Sequence, residues 1–144
     1  MKRTYWSQAG CPVAGTLELI GERWTFLIIR DLTMGRSGKF SDLLRSLEGI
    51  STNLLSQRLK ELEDADIVER HMYSDHPPRA EYALTQKGND LLPVIAAISF
   101  WGAKYVLTEQ RRKSPEIVEG LNWLRKRLAG EDATLPEFML NPQG

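Results

Sequence analysis

The sequence predicts a mainly α fold with one small β-hairpin, a winged helix-turn-helix carrying dimerisation helices at its N- and C-terminal ends. Three observations lead there. Two amphipathic segments, residues 42–47 and 51–63, are joined by the short turn Glu48-Gly49-Ile50, which is helix-turn-helix spacing. From Ile67 the apolar period changes from helical to alternating, on both sides of a turn-rich stretch at 74–79 that holds Pro77 and Pro78. That is the signature of a hairpin. A long helical segment then carries more large apolar residues than one small winged domain can cover.

Taken in order, residues 1–10 read as a flexible arm with two basic side chains and the aromatic pair Tyr5 and Trp6. Cys11 precedes Pro12, a residue favoured at the first position of a helix. A helix over 12–20 follows, with Leu17 and Ile20 turned inward and Gly21 ending it. Residues 23–32 form a second helix whose stripe is Trp24, Leu27, Ile28 and Leu32. After a turn at 34–38, Lys39 and Phe40 serve as a short strand or a helix approach. Ser41 is expected to cap a helix over 42–47, with Leu43, Leu44 and Leu47 apolar and Asp42 near its positive end. Gly49 suits a left-handed position in the turn.

The segment 51–63 is the centre of the reading. At about 100° per residue, Leu55, Leu59 and Leu62 share one side, while Asn53, Ser56, Gln57 and Lys60 share the other. Ser51 is a good N-cap, because its hydroxyl accepts from an orphan backbone N–H. Surface helices normally expose charged groups. Here the outer face carries a hydroxyl and two amides before the lysine, groups that hydrogen-bond to base edges and phosphates. An ordinary amphipathic helix with a neutral wet side competes with that view, and the hairpin that follows favours the first. Val68, Arg70 and Met72, then Ala80, Tyr82 and Leu84, alternate with polar neighbours as half-buried strands do. The hairpin tip presents His76 and Arg79. An arginine there can enter a minor groove; a plain exposed charge is the alternative.

Thr85 caps a helix expected over 86–112, with the stripe Leu91, Ile95, Ile98, Trp101 and Tyr105 and a kink at Pro93. A homodimer using this helix and the first one follows. Ser114-Pro115-Glu116 opens a further helix. Its apolar residues are Ile117, Leu121, Leu124 and Leu128, with Gly130 as a stop, and it must dock on the body or on a partner subunit. The organisation is an arm (1–10), a winged domain (11–112) and a C-terminal amphipathic helix with its tail (113–144).

Composition narrows the function. The 144 residues suggest one domain, with 42% hydrophobic and 26% charged residues and zero net charge; the pI is about 6.7. Bulk charge therefore does not advertise nucleic acid. Arg36, Lys39, Arg45, Arg58 and Lys60 nevertheless cluster in or near the central helix, and an acidic edge follows at Glu61, Glu63, Asp64, Asp66 and Glu69. A single copy with such a face binds DNA weakly, so two are needed. One cysteine excludes an intramolecular disulfide and a Cys-rich zinc site. No apolar run approaches membrane-spanning length and the N-terminus lacks a signal segment, so a cytoplasmic protein is expected. His71 and His76 lie near Asp75 and Glu69, but no third metal ligand stands at recognisable spacing. No nucleophile-elbow, phosphate-loop or dinucleotide motif occurs. Neither an enzyme nor a metal or cofactor is expected.

Three blocks in order, CPVAGTLELIGERW, FSDLLRSLEGISTNLLSQRLKELEDADIVER and PPRAEYALTQKGNDLLPVIAAISFWG, resemble the HxlR-type branch of the MarR-like winged-helix transcription regulators. The resemblance runs from Cys11 to about Tyr105. It implies a dimeric DNA-binding regulator on an inverted-repeat operator. DNA contacts are then expected from Lys39, Ser51, Thr52, Asn53, Ser56, Gln57, Arg58, Lys60, His76 and Arg79. Dimer contacts are expected from Leu17, Ile20, Leu91, Ile95, Ile98, Trp101 and Tyr105. Some members of the family sense electrophiles or oxidants through a cysteine near the N-terminus, and Cys11 stands at the matching place. A thiol at a helix N-cap meets a positive dipole that stabilises thiolate; a passive small apolar residue is an equal alternative. With no second cysteine, a switch needs a Cys11–Cys11 bridge across the dimer, a bound small thiol, or alkylation. The rival to DNA binding is a winged domain used only for protein contacts, which would lack the steep salt dependence of phosphate neutralisation.

Overall fold

The computed structural model describes residues 10–131. The arm residues Tyr5 and Trp6 and the tail from 132 onward lie outside the described residues. The elements run α1 (Pro12–Ile20), α2 (Arg23–Thr33), α3 (Phe40–Ser46), α4 (Thr52–Asp64), β1 (Val68–Asp75), β2 (Pro78–Leu84), α5 (Gln86–Asn89), α6 (Leu92–Tyr105), α7 (Glu109–Arg112) and α8 (Pro115–Leu128).

The main core is formed by α2, α3, α4 and the base of the hairpin, with Ile95 of α6 closing it. Leu55 and Leu59 are fully buried and Leu62 nearly so, which anchors one side of α4 and leaves the other in solvent. Removing such a leucine side chain costs about 2–5 kcal/mol, since the lost transfer energy is joined by a cavity. Ser51 caps α4 by accepting from the Leu54 N–H at 3.1 Å. Gly49 adopts φ +96°, the left-handed turn its lack of a Cβ permits.

The hairpin is antiparallel and pairs Val68 with Leu84 at its base and Asp75 with Pro78 at its tip, so the turn is only His76-Pro77. The register shifts between Met72 and Ser74. Lys39 makes an isolated antiparallel bridge to Glu81, and the Tyr82 N–H donates to the Gly38 carbonyl at 2.8 Å. A Cβ on Gly38 would collide with the Tyr82 carbonyl. Glycine is required by that close approach. Thr85 fixes the far side of the hairpin, donating to the Asp66 carbonyl at 2.6 Å and capping α5 through the Gly88 N–H.

Three expectations change here. The helix entering the motif starts at Phe40, with Lys39 at its N-cap position; Ser41 is not the cap. Arg70 and Met72 are exposed, because only the base of the hairpin reaches the core. The segment 86–112 is three helices. Pro93 at the start of α6 cannot continue a hydrogen-bond ladder from α5, so the break precedes it. Thr108 accepts from the Arg111 N–H and starts α7 afresh.

The last helix docks on the body. Trp123 and Leu124 of α8 are buried with Ala96 of α6, and Met34, Leu92, Phe100 and Leu121 pack around them. Leu128 is exposed, so the expected stripe loses its last member. Gly130 takes φ +77° beyond the helix end.

One buried charge organises the α2–α3 junction. Asp31 is fully buried. One of its oxygens accepts from Arg30 at 2.8 and 3.0 Å and from Arg36 at 2.8 Å, and the other accepts from the Ser46 hydroxyl at 2.6 Å. A buried carboxylate persists only when paired in this way.

Candidate nucleic-acid interface

Two elements present the polar groups picked out in the sequence. On α4, Thr52, Asn53, Ser56, Gln57 and Lys60 are all exposed, because the three buried leucines fix the rotation of the helix. Gln57 donates to Glu61 at 3.4 Å and Lys60 pairs with Asp64 at 3.4 Å, both within exposed side chains. Such pairs are worth little in water, so they yield readily to a stronger acceptor. Ser51 is occupied as the cap and contributes its hydroxyl to the helix end instead.

On the hairpin, His76 forms half of the tip turn and Arg79 stands exposed opposite Ser74. Lys39 is tied to this side by its bridge to Glu81 and lies over the Tyr73 ring at 5.2 Å. Its ammonium therefore sits beside the wing, where the register of the hairpin shifts.

Arg58 behaves differently from its neighbours. Its Nε donates to Glu22 at 3.1 Å and its Nη1 to Glu61 at 3.1 Å, with only a fifth of its side chain exposed. It braces α4 against the start of α2 and is no free DNA contact; an acid 36 residues away claims it. Glu22 itself caps α2, accepting from the Thr25 N–H at 2.9 Å. Burial works against its ionisation, but the backbone N–H groups of Thr25 and Trp24 and the Arg58 guanidinium outweigh that. Its carboxyl is held below the usual value. This Glu22–Arg58–Glu61 brace is invisible to helical periodicity, as is the Asp31 cluster. The only sequence signal for the latter is an aspartate inside an apolar helix beside Arg30.

The expected dimer residues divide between two environments. Ile20 and Ile95 lie in the core of the protomer and are not available to a second copy; Leu91 is partly buried against that core. Leu17, Ile98, Trp101 and Tyr105 are exposed by 51%, 51%, 61% and 62%. The Trp101 and Tyr105 rings pack in a tilted pair with centroids 5.4 Å apart. Val94 joins them at the spacing i, i+4, i+7, i+11, so the open stripe of α6 is Val94, Ile98, Trp101 and Tyr105. On α1, Val13 and Leu19 are exposed as well as Leu17, with Val13 on the same side as Leu17 and Leu19 on the other. The sequence reading mixed two faces of α6, because both are apolar.

Cys11 occupies the N-cap position of α1 with β-region backbone, and its side chain caps no N–H. It is half-buried and unbridged.

A helix-turn-helix with an outward amide face and a hairpin wing beside it is the arrangement of a DNA-reading domain. The HxlR-like helix-turn-helix family model matches residues 19–110. The chain belongs to the HxlR-like family. An HTH-type transcriptional regulator of Synechocystis is 35% identical over 112 residues, covering 78% of this chain and 82% of that protein. One of Mycobacterium tuberculosis is 40% identical over 124 residues, 86% of this chain and 72% of its own. Among solved structures, the putative transcription factor PA1607 superposes with a TM-score of 0.63 at 36% identity, covering 74% of this chain and 72% of that one. The redox regulator HypR in its oxidised form gives 0.57 at 34%, covering 65% and 96%. Quinone-bound YodB of Bacillus subtilis gives 0.55 at 34%, covering 66% and 99%. This HxlR-like protein is thus a transcriptional regulator with a winged helix-turn-helix fold, and its relatives are regulators rather than enzymes. Among the described residues no group of three or more His, Cys, Asp or Glu side chains is placed to hold a metal, and no helix is long and apolar enough to cross a membrane.

Proposed function

We propose that this regulator binds double-stranded DNA sequence-specifically as a homodimer on an inverted-repeat operator. The observation that carries the reading is the exposed face of α4, where Thr52, Asn53, Ser56 and Gln57 stand free of the core on a helix held from behind by three leucines. Asn53, Ser56 and Gln57 would read base edges in the major groove, while Lys60 and Lys39 neutralise phosphates. His76 and Arg79 would reach the adjacent backbone or minor groove from the wing. Leu17 of α1 and Ile98, Trp101 and Tyr105 of α6 form the face for the second copy, so that two α4 helices enter successive grooves.

In the same reading Cys11 is the switch. A half-buried thiol stands at the N-cap position of α1, and the redox and quinone-bound neighbours are of the same fold. A two-electron oxidant would join the Cys11 thiols of two protomers as a disulfide, or a quinone-type electrophile would add to one thiolate. Either change falls on α1, one of the two elements assigned to the dimer face.

Selection of bound duplexes from a random pool tests the core of the proposal. A two-fold symmetric site with half-sites about one helical turn apart is the expected result. Recovery of no enriched sequence at low salt would overturn it.

A further inference from the structure

A cavity of about 350 Å³ lies between the end of α2, one face of α6 and the start of α8, away from the α4 face. That volume is within the range of small-molecule sites. Its walls include Gly102 and Val106 of α6 and Ile117 and Leu121 of α8, and no aromatic ring lines it among the described residues. Arg30 and Arg36 border it. These two guanidiniums share the single carboxylate of Asp31, so one positive charge is left over. The Arg36 Nε is buried and has no hydrogen-bond partner. Glu116 also reaches the rim, where it faces Arg111 at 3.8 Å. At about 100° per residue, the α6 residues Ser99, Gly102, Ala103 and Val106 lie roughly 120° around the helix from the open stripe of Val94, Ile98, Trp101 and Tyr105. A second copy seated on that stripe leaves the cavity open. Its α8 wall also lies beyond the span the family model matches.

We infer that this cavity binds a small aliphatic carboxylate, its chain against the α6 and α8 side chains and its carboxylate accepting from Arg36. An apolar cavity alone would take any hydrocarbon. The surplus guanidinium charge selects an anion, and walls without aromatic rings suit an acyl chain. The bound acid competes with Asp31 for Arg36, and Asp31 also holds Ser46 of α3. Occupancy is therefore felt at the first helix of the helix-turn-helix motif, a consequence that rests on the DNA-binding reading.

Calorimetric titration of the full chain with octanoate, 1-octanol and octylamine at fixed ionic strength tests the site without DNA. Octanoate should bind saturably, and the alcohol and the amine about tenfold more weakly or less well still. Arg36→Gln should reduce octanoate to the level of octanol. Gly102→Leu should abolish binding with the melting temperature maintained, because a Cβ at Gly102 meets no atom within 4 Å; this variant decides if Arg36→Gln fails to fold. Octanoate bound no better than octanol, bound equally by Gly102→Leu, or not bound saturably would each overturn the assignment. Repeating the titration on the DNA complex, saturating octanoate should change operator affinity about threefold or more in the wild type and not in Gly102→Leu. Binding without that change would sink the link to α3 and leave the DNA-binding reading untouched.

Discussion

The guanidinium of Arg58, on the helix assigned to the major groove, donates its Nε to the Glu22 carboxylate at 3.1 Å. The same oxygen accepts from the Thr25 N–H at the start of α2. One carboxylate thus caps the start of α2 and ties α4 to it.

Glu22→Gln should therefore destabilise the fold by about 1 kcal/mol, the scale of a lost helix cap, and do so in a pH-dependent way. The folded-state pKa of Glu22 lies below its ordinary value of 4.5. Its contribution is then complete above that value and lost as pH falls through the folded one. Urea unfolding at about pH 7 and about pH 3 should show the gap between wild type and variant shrinking in acid. A constant gap would mean that the carboxylate charge is irrelevant.

Gln57→Ala should weaken a cognate site by about 1–3 kcal/mol and relax one base position, whereas Arg79→Ala should weaken all sequences evenly and lower the salt slope by about one. Fluorescence anisotropy over a salt series, with single-base variants of the site, separates the two. Wild-type binding by both would remove α4 and the wing from the interface.

Trp101→Glu should raise the dimer dissociation constant by about thirtyfold or more, as loss of a central aromatic anchor does. The melting behaviour of the protomer should change little, because Trp101 is 61% exposed and outside both cores. Sedimentation velocity over a dilution series gives the answer; an unchanged assembly would place the interface elsewhere.

Asp31→Ala leaves two guanidiniums at a buried junction with nothing to pair. A loss of about 3–5 kcal/mol is expected, seen as a much lower urea midpoint. A variant as stable as wild type would show that water replaces the carboxylate there.

Cys11→Ser should keep DNA affinity and lose the response to diamide or quinones. A serine protein that still releases DNA on oxidation would end the sensor assignment.

Much of this was legible in the residues, and the exceptions share a cause. The α4 face, the Ser51 cap and the Gly49 turn are local matters, decided by side chains within four positions of one another. Arg58 was misjudged because its partner at Glu22 lies on another helix. Ile20 and Ile95 were assigned to the dimer because α1 and α6 are each apolar on more than one side, and periodicity cannot say which side the rest of the protomer covers and which stays open. The break at Leu91 depends on one proline, whose effect on a helix is either a kink or a stop according to what packs beside it.

The sequence by itself determined most of the helical segments, though not the breaks within 86–112, and also where the wing turns and which groups α4 can show to water, since hydrogen-bond caps, backbone sterics and the 3.6-residue period act over a few residues. Only the tertiary structure decided which apolar faces are spent within the protomer, which arginines are tied to buried acids, and that α8 walls a cavity against α6. Those outcomes are set by burial against distant elements, and burial is a property of the assembled core.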